Sequence, residues 1–175
     1  MRSLKGNKVI LRALEPEDLL FLDEIENNEK YWHLSNSQTP FSKYVLKRYL
    51  EHALEDIYTS KQLRLVITNL NENAVGFIDL YDFDPKNNRA GVGIIIHEKF
   101  RQKGFAFEAL DILTNYAFAH LNLHQLYAGI NHNNIASLQL FQKLDFEIVG
   151  LKKEWNYFND AYHDEYLLQK IKNAL

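Results

Sequence analysis

The sequence contains no cysteine. That one absence removes disulfides, thiolate metal sites and a cysteine nucleophile together, and it is compatible with a reducing compartment. Long apolar runs are missing as well: none approaches the ~20 residues that span a bilayer. No apolar signal segment comes after the charged start Met1-Arg2-Ser3-Leu4-Lys5-Gly6. The expectation is a cytoplasmic protein with no membrane partner. An excess of positive charge is absent too, with 20 Lys and Arg against 23 Asp and Glu and a formal net charge of -3. Nucleic acid is therefore not an expected partner. The seven histidines fall into no H-E-x-x-H or similar ligand spacing, so no metal is expected. There is no P-loop, no G-x-G-x-x-G, no internal repeat and no low-complexity segment.

What is present is a globular chain of 175 residues, 46% of them apolar, enough for a substantial core. Residues 1–175 read as one domain. Val9 to Leu14 reads as a first strand. Glu15-Pro16-Glu17-Asp18 opens a helix, because proline suits the first turn and acids there favour the dipole. Leu19, Leu22 and Ile25, with Phe21, give its stripe, and it ends near Asn27-Asn28. Tyr31 to Pro40 reads as a loop carrying two large aromatics. Ser42 can cap a second helix whose stripe is Leu46, Tyr49, Leu50, Ala53, Leu54 and Ile57. Leu63 to Thr68 and Ala74 to Tyr81 read as a hairpin about Leu70-Asn71-Glu72-Asn73. After a polar turn, Asp82 to Arg89, comes a strand from Ala90 to Ile96.

The chain is organised around the segment just after that strand. Arg101-Gln102-Lys103-Gly104-Phe105-Ala106 leads into a helix running to about His120. A helix N-terminus has unpaired N–H groups and partial positive charge, and it can wrap a phosphate where a residue without a Cβ lets the chain come close. Gly104 is that residue, and Arg101 and Lys103 add charge. The alternative is an ordinary glycine between two core elements. Further on, Leu126 to Ile130 reads as a strand, Ile135 to Leu144 as a helix, Phe146 to Val149 as a strand, Lys152 to Ala161 as a loop or partial extension, and Tyr162 to Ile171 as a strand. Strand-helix-strand-helix-strand order argues for parallel pairing with right-handed crossovers.

The form R-x-x-G-x-A after an apolar strand resembles the acetyl-CoA motif of the GCN5-related N-acetyltransferases, the GNAT family. Asn134-Ile135-Ala136-Ser137-Leu138-Gln139-Leu140-Phe141-Gln142-Lys143-Leu144-Asp145-Phe146 resembles the family's second motif, one helix and one strand later. The likeness covers roughly residues 7 to 171. Within the family it looks closest to the spermidine/diamine acetyltransferases, through Gly76 to Asp82, Ile94 to Ile96 with Arg101 to Ala106, and Phe118 to His124. The ribosomal-protein N-terminal acetyltransferases share much of the pattern.

The resemblance implies a mixed α/β (α+β) sheet, with antiparallel N-terminal strands and then β-α-β-α-β. It implies acetyl-CoA as co-substrate, a small-molecule amine (a polyamine or diamine) as acceptor, and a homo-oligomer as one possible assembly. Carried over, Ile94, Ile95 and Ile96 offer backbone groups to the pantetheine arm, Arg101 to Ala106 take the diphosphate, and Asn134 contacts the cofactor or simply caps a helix. Asp79 and Asp82, joined by Glu24 and Glu26, stand where resembling polyamine enzymes carry acids. They either hold an ammonium or form a solvated turn and helix face.

Two departures touch the chemistry. Phe141 occupies the usual tyrosine acid position and cannot donate. Gly91 stands where a glutamate base is frequent and cannot accept. Asp145 replaces a glycine but tolerates a left-handed turn. No general acid is assigned; Asp79, His132, Tyr157 and His163 are possible proton handlers. The departures leave a third reading open, a CoA-binding protein that has lost catalysis.

Overall fold

The computed structural model describes residues 4–35, 37–53 and 55–172. The seven strands form a single sheet, and helices cover both its faces. In chain order the elements are β1 (Val9–Arg12), α1 (Leu19–Glu26), α2 (Glu29–Ser35), α3 (Lys43–His52), α4 (Ile57–Ser60), β2 (Leu63–Asn69), β3 (Ala74–Asp84), β4 (Arg89–Ile96), α5 (Phe105–Ala119), β5 (Gln125–Asn131), α6 (Ile135–Gln142), β6 (Glu147–Phe158) and β7 (Ala161–Ile171). The strand order is β1-β2-β3-β4-β5-β7-β6. This is the mixed α/β architecture expected, with an antiparallel β1–β4 meander.

The second half differs from expectation in one respect. β4 and β5 pair in parallel, but β6 is not beside β5. β7 lies between them, antiparallel to both. The reason is a tight turn at Asn159 and Asp160, both left-handed with φ 49° and 56°. Asn and Asp tolerate that region, so β6 runs straight on to Phe158 where a loop was expected, and β7 folds back against it.

Boundaries differ among the helices of the first half too. Tyr31 to Ser35, read as the start of a loop, belong to α2, started by Asn28, whose side chain accepts from the Lys30 N–H at 3.1 Å. The Ser42 cap is present, accepting from Val45 N–H at 3.2 Å, but α3 stops at His52 and Ile57 begins a separate turn capped by Asp56. Leu54, expected on that stripe, lies outside the described residues.

The larger core lies between the sheet and α5. Of Ala106, Leu110, Leu113 and Ala117, whose helical spacing in the sequence predicts one face, the last three are fully buried there and Ala106 is half-buried. The smaller core packs Leu22, Ile25 and Leu46 of α1 and α3 on Val66 and Phe77 of the opposite face. One acid fastens α5 to the chain start: Glu108, in its first turn, accepts the N–H groups of Asn7, Lys8 and Val9 at 2.9, 2.7 and 2.8 Å. Hydrogen bonds to a charged group are worth ~1.5–3 kcal/mol each before their mutual dependence is counted. Glu108→Ala should therefore lower unfolding stability by about 2 kcal/mol. Urea denaturation checks this, and a loss too small to measure would mean the three N–H groups are equally well solvated.

Candidate active site

The site begins where a ladder ends. β4 and β5 are in register only at Arg89–Gln125, Ala90–Leu126 and Gly91–Tyr127. Beyond Gly91 the two strands part, while β4 stays paired with β3 as far as Ile96. Backbone groups of β4 that point away from β3 there have lost their strand partner, and buried or half-buried backbone groups require one.

A cleft of about 900 Å³ runs along this opening. Ile94, Ile95 and Ile96 form one wall, and Arg101, Gln102, Gly104, Phe105 and Ala106 close one end of it. Asn134 lies on the α6 side. Of the residues expected to hold the cofactor, Lys103 alone does not line the cleft; it is exposed, its Nζ 5.6 Å from the Phe100 ring. Asn134 is also a helix cap, accepting from Ser137 N–H at 3.2 Å.

Gly104 has φ +81°, so a side chain there would be strained, and its Cβ would fall 2.9 Å from Lys8 Nζ. It precedes the 15-residue α5, whose first residues, Phe105, Ala106 and Phe107, line the cleft; the first N–H groups of a helix have no partner within it. An extended diphosphate-bearing arm fits these features: a glycine-lined helix N-terminus, then an open strand edge. Arg101 is less free than its charge suggests. Its Nε donates to the Ile96 carbonyl at 3.0 Å, and its guanidinium lies 5.4 Å from the Tyr31 ring. Tyr31 in turn accepts from Glu98 N–H at 3.1 Å, which ties α2 to the cleft wall.

A narrower extension of about 140 Å³ penetrates the gap between the parted strands. Gly93, Gly129, Phe141, Asn156 and Glu165 line it, and His33 and Leu34 of α2 border both spaces. Phe141 is buried, packed edge-on to Phe146 with centroids 5.0 Å apart. Gly91 is occupied from outside: a Cβ there would lie 2.3 Å from the ring of Tyr81. No glutamate could stand at Gly91 without displacing that ring. Burial first, then Tyr127 and Glu165, push the Tyr81 hydroxyl up to about 12.

The acids assigned to the acceptor are placed differently from expectation. Asp79 and Glu26 do not line the cleft; they flank Arg64. Arg64 Nη1 is 2.8 Å from Glu26 Oε1, and its Nε is 3.1 Å from Asp79 Oδ1, with all three side chains under 20% exposed. The latter pair is in contact but not aligned as a hydrogen bond. Asp82 is exposed, at a bulge with φ 48°. Glu24 is 2.9 Å from His97 Nε2. An acid near a strand end reads as free until its partner on the neighbouring strand is known.

The other proton-handling candidates are also accounted for. His163 stacks on Phe158 at 3.8 Å and on His132 at 5.9 Å. Tyr157 is exposed. Among the described residues no cluster of three or more His, Cys, Asp or Glu could hold a metal, and no helix is long and apolar enough to cross a membrane. Sequence reading gave no role to His33, Tyr81 or Glu165; His33 and Glu165 lie in no motif, and Tyr81 lies in the Gly76 to Asp82 stretch without being singled out.

The chain belongs to the GNAT acetyltransferases: the family model described as an acetyltransferase (GNAT) domain matches residues 8–147. It is an acetyltransferase, and acetyl-CoA is its acetyl donor. Similar proteins include the spermidine N(1)-acetyltransferase of Vibrio cholerae, 28% identical, with 94% of this chain and 95% of that protein covered. The spermidine N(1)-acetyltransferase of Escherichia coli is 28% identical over 91% of this chain and 83% of its own length. An uncharacterised prophage-derived N-acetyltransferase of Bacillus subtilis is 27% identical, covering 91% and 87%. The crystal structure of the Vibrio cholerae enzyme in complex with CoA and spermine superposes with a TM-score of 0.86 at 26% identity, covering 95% and 96%.

The Arg64 cluster carries a pH signature. Burial raises the Asp79 carboxyl to about 6, against the pull of Arg64, and Glu26 adds to the rise. A carboxyl raised on folding contributes stability that is complete below its unfolded pKa of ~3.9 and lost as pH rises through the folded value. Asp79→Asn removes that loss. Relative to wild type, the variant should gain about 1–2 kcal/mol between pH 4 and pH 7. Thermal melts across that range test it; a constant difference would place the Asp79 charge in water.

Proposed function

We propose that this chain transfers acetyl from acetyl-CoA to a primary amine of a polyamine or diamine. The observation that carries the reading is the parting of β4 from β5 beside the Gly104 helix start, which joins a diphosphate-sized cradle to an open strand edge and a gap through the sheet. In this reading the N-terminus of α5, with Arg101 to Ala106, takes the diphosphate. The open edge of Ile94, Ile95 and Ile96 lines up the extended arm as an added strand would. Asn134, already spent on its cap, offers its amide to the same space.

When bound, the thioester supplies an activated carbonyl. What this chain does is fix its position, exclude water and admit the amine through the gap, and positioning alone is worth much of the rate. A thiol with pKa near ~8.5 leaves tolerably without a strong acid, so Phe141 is not disqualifying.

Polyamine specificity rests on the end-to-end similarity to spermidine N-acetyltransferases. It no longer needs Asp79 or Glu26, which are committed to Arg64. Glu98 lines the cleft, and it is paired only loosely, 3.4 Å from Lys30. Assembly into a homo-oligomer belongs to the same reading. Ile148, Val149, Leu151 and Trp155 on the edge strand β6 are exposed, and the Vibrio cholerae enzyme has a dodecameric structure.

Three measurements test this. A thiol-release assay over polyamines, diamines and N-terminal peptides should show polyamine turnover; turnover of peptides alone would favour the ribosomal-protein type. Gly104→Val should weaken CoA at least about tenfold by calorimetry, with the fold retained, through strain at φ > 0 and loss of close approach. Wild-type affinity in a folded variant would misplace the cradle. Light scattering should give a mass above one chain; a monomer at all concentrations would remove the assembly.

A further inference from the structure

One titratable group in the gap, Glu165, is neither a cofactor ligand nor part of the Arg64 cluster. It sits on β7, opposite Asn131 of β5 and Lys152 of β6. Its side chain is only 14% exposed. It reaches across β5: a Cβ on Gly129 would lie 2.5 Å from Glu165 Oε1, so a side chain there would push the carboxylate from this position. Lys152 Nζ holds Oε1 at 2.6 Å and Asn156 Nδ2 holds Oε2 at 2.9 Å. A carboxylate has about four acceptor positions, so each oxygen keeps one for a ligand. Of the described residues lining the narrow gap, Glu165 is the one carboxylate.

We propose that Glu165 receives the acceptor's reacting nitrogen and takes its first proton, an inference that rests on the acetyl-transfer reading. An alkyl ammonium, with pKa ~10.4 in the lysine side chain, has no lone pair and must lose a proton before it attacks. The place where a base is otherwise expected is shut, because the Tyr81 ring covers Gly91, and Phe141, at the usual acid position, has no hydroxyl. Glu165 and Phe141 both line the narrow gap. Lys152 helps in a second way, because a like charge beside the incoming ammonium disfavours its charged form.

The step balances. The ammonium gives a proton to a Glu165 oxygen. The freed nitrogen pair attacks the thioester carbonyl, and a C–N bond forms as the C–S bond breaks. Two protons leave the nitrogen in all; one ends on the sulfur and the other in solvent. No oxidant, metal or covalent enzyme intermediate is required.

Glu165→Gln keeps the shape and leaves an oxygen for Lys152. It is measured with the best amine substrate of the wild-type protein. A positioned base is worth ~10²–10⁴-fold, so kcat at pH 7 should fall at least about a hundredfold, with CoA affinity by calorimetry unchanged. The deficit should narrow steadily as pH is raised towards ~10, where the amine sheds its own proton. A folded variant with near-wild-type kcat overturns the inference. So does a loss that is the same at every pH, which would make Glu165 a strut between β6 and β7. Those results leave acetyl transfer standing. A wild-type protein that binds CoA but acetylates no amine overturns that reading, and this inference with it.

Discussion

Three residue pairs hold β4 to β5, and then the strands separate. Everything that could act on a substrate depends on that early end of the ladder. A sheet that stayed zipped would satisfy its backbone internally and present no open edge. Side chains pack across the strands next to the parting. The Tyr81 ring crosses from β3 over Gly91, and its edge meets Tyr127 of β5 with centroids 6.0 Å apart. The Glu165 carboxylate crosses from β7 over Gly129. Each crossing side chain lies within 2.5 Å of where a Cβ on the glycine beneath would stand. The glycines of β4 and β5 thus act here as seats for neighbouring side chains.

Charge is managed differently on the two sides of this opening. Arg64 with Asp79 and Glu26 is an internal arrangement: three charges under 20% exposed, turned towards one another. Such clusters add little net stability, because desolvation offsets most of the attraction, but removing one member is costly. Glu165, Lys152 and Asn156 are an open arrangement, in which the carboxylate faces a space large enough for a ligand atom. A buried ion set that is complete in itself does not need a substrate; one with free acceptor positions in a gap can use one.

The departures from the family pattern share a common explanation. Gly91 is not simply a missing glutamate, since its space holds Tyr81. Phe141 is part of the core, packed on Phe146. In the proposed mechanism the chemistry of the site moves onto the far strands, β6 and β7, where short motifs carry no trace of it. Asp145 is the mildest change, and it adopts the left-handed conformation expected of it, φ 61°.

Local order and the glycine-led start of α5 were written in the sequence. Helical stripes such as Leu110, Leu113 and Ala117, the Ser42 and Asn134 caps, the β2–β3 hairpin and the glycine before α5 all depend on residues a few positions apart, whose geometry the backbone itself dictates. The family motifs lie in the same short range. Tertiary structure alone decided what depends on distant partners. It placed β7 between β5 and β6, because a two-residue left-handed turn was not distinguishable from a loop. It gave Asp79 to Arg64, fifteen positions earlier but directly across the β2–β3 ladder. It also set Glu165 over Gly129, thirty-six positions apart in the chain, by a pairing between β5 and β7 that no periodicity records. Periodicity reports which face of an element is apolar; only the folded sheet determines which charges meet across it.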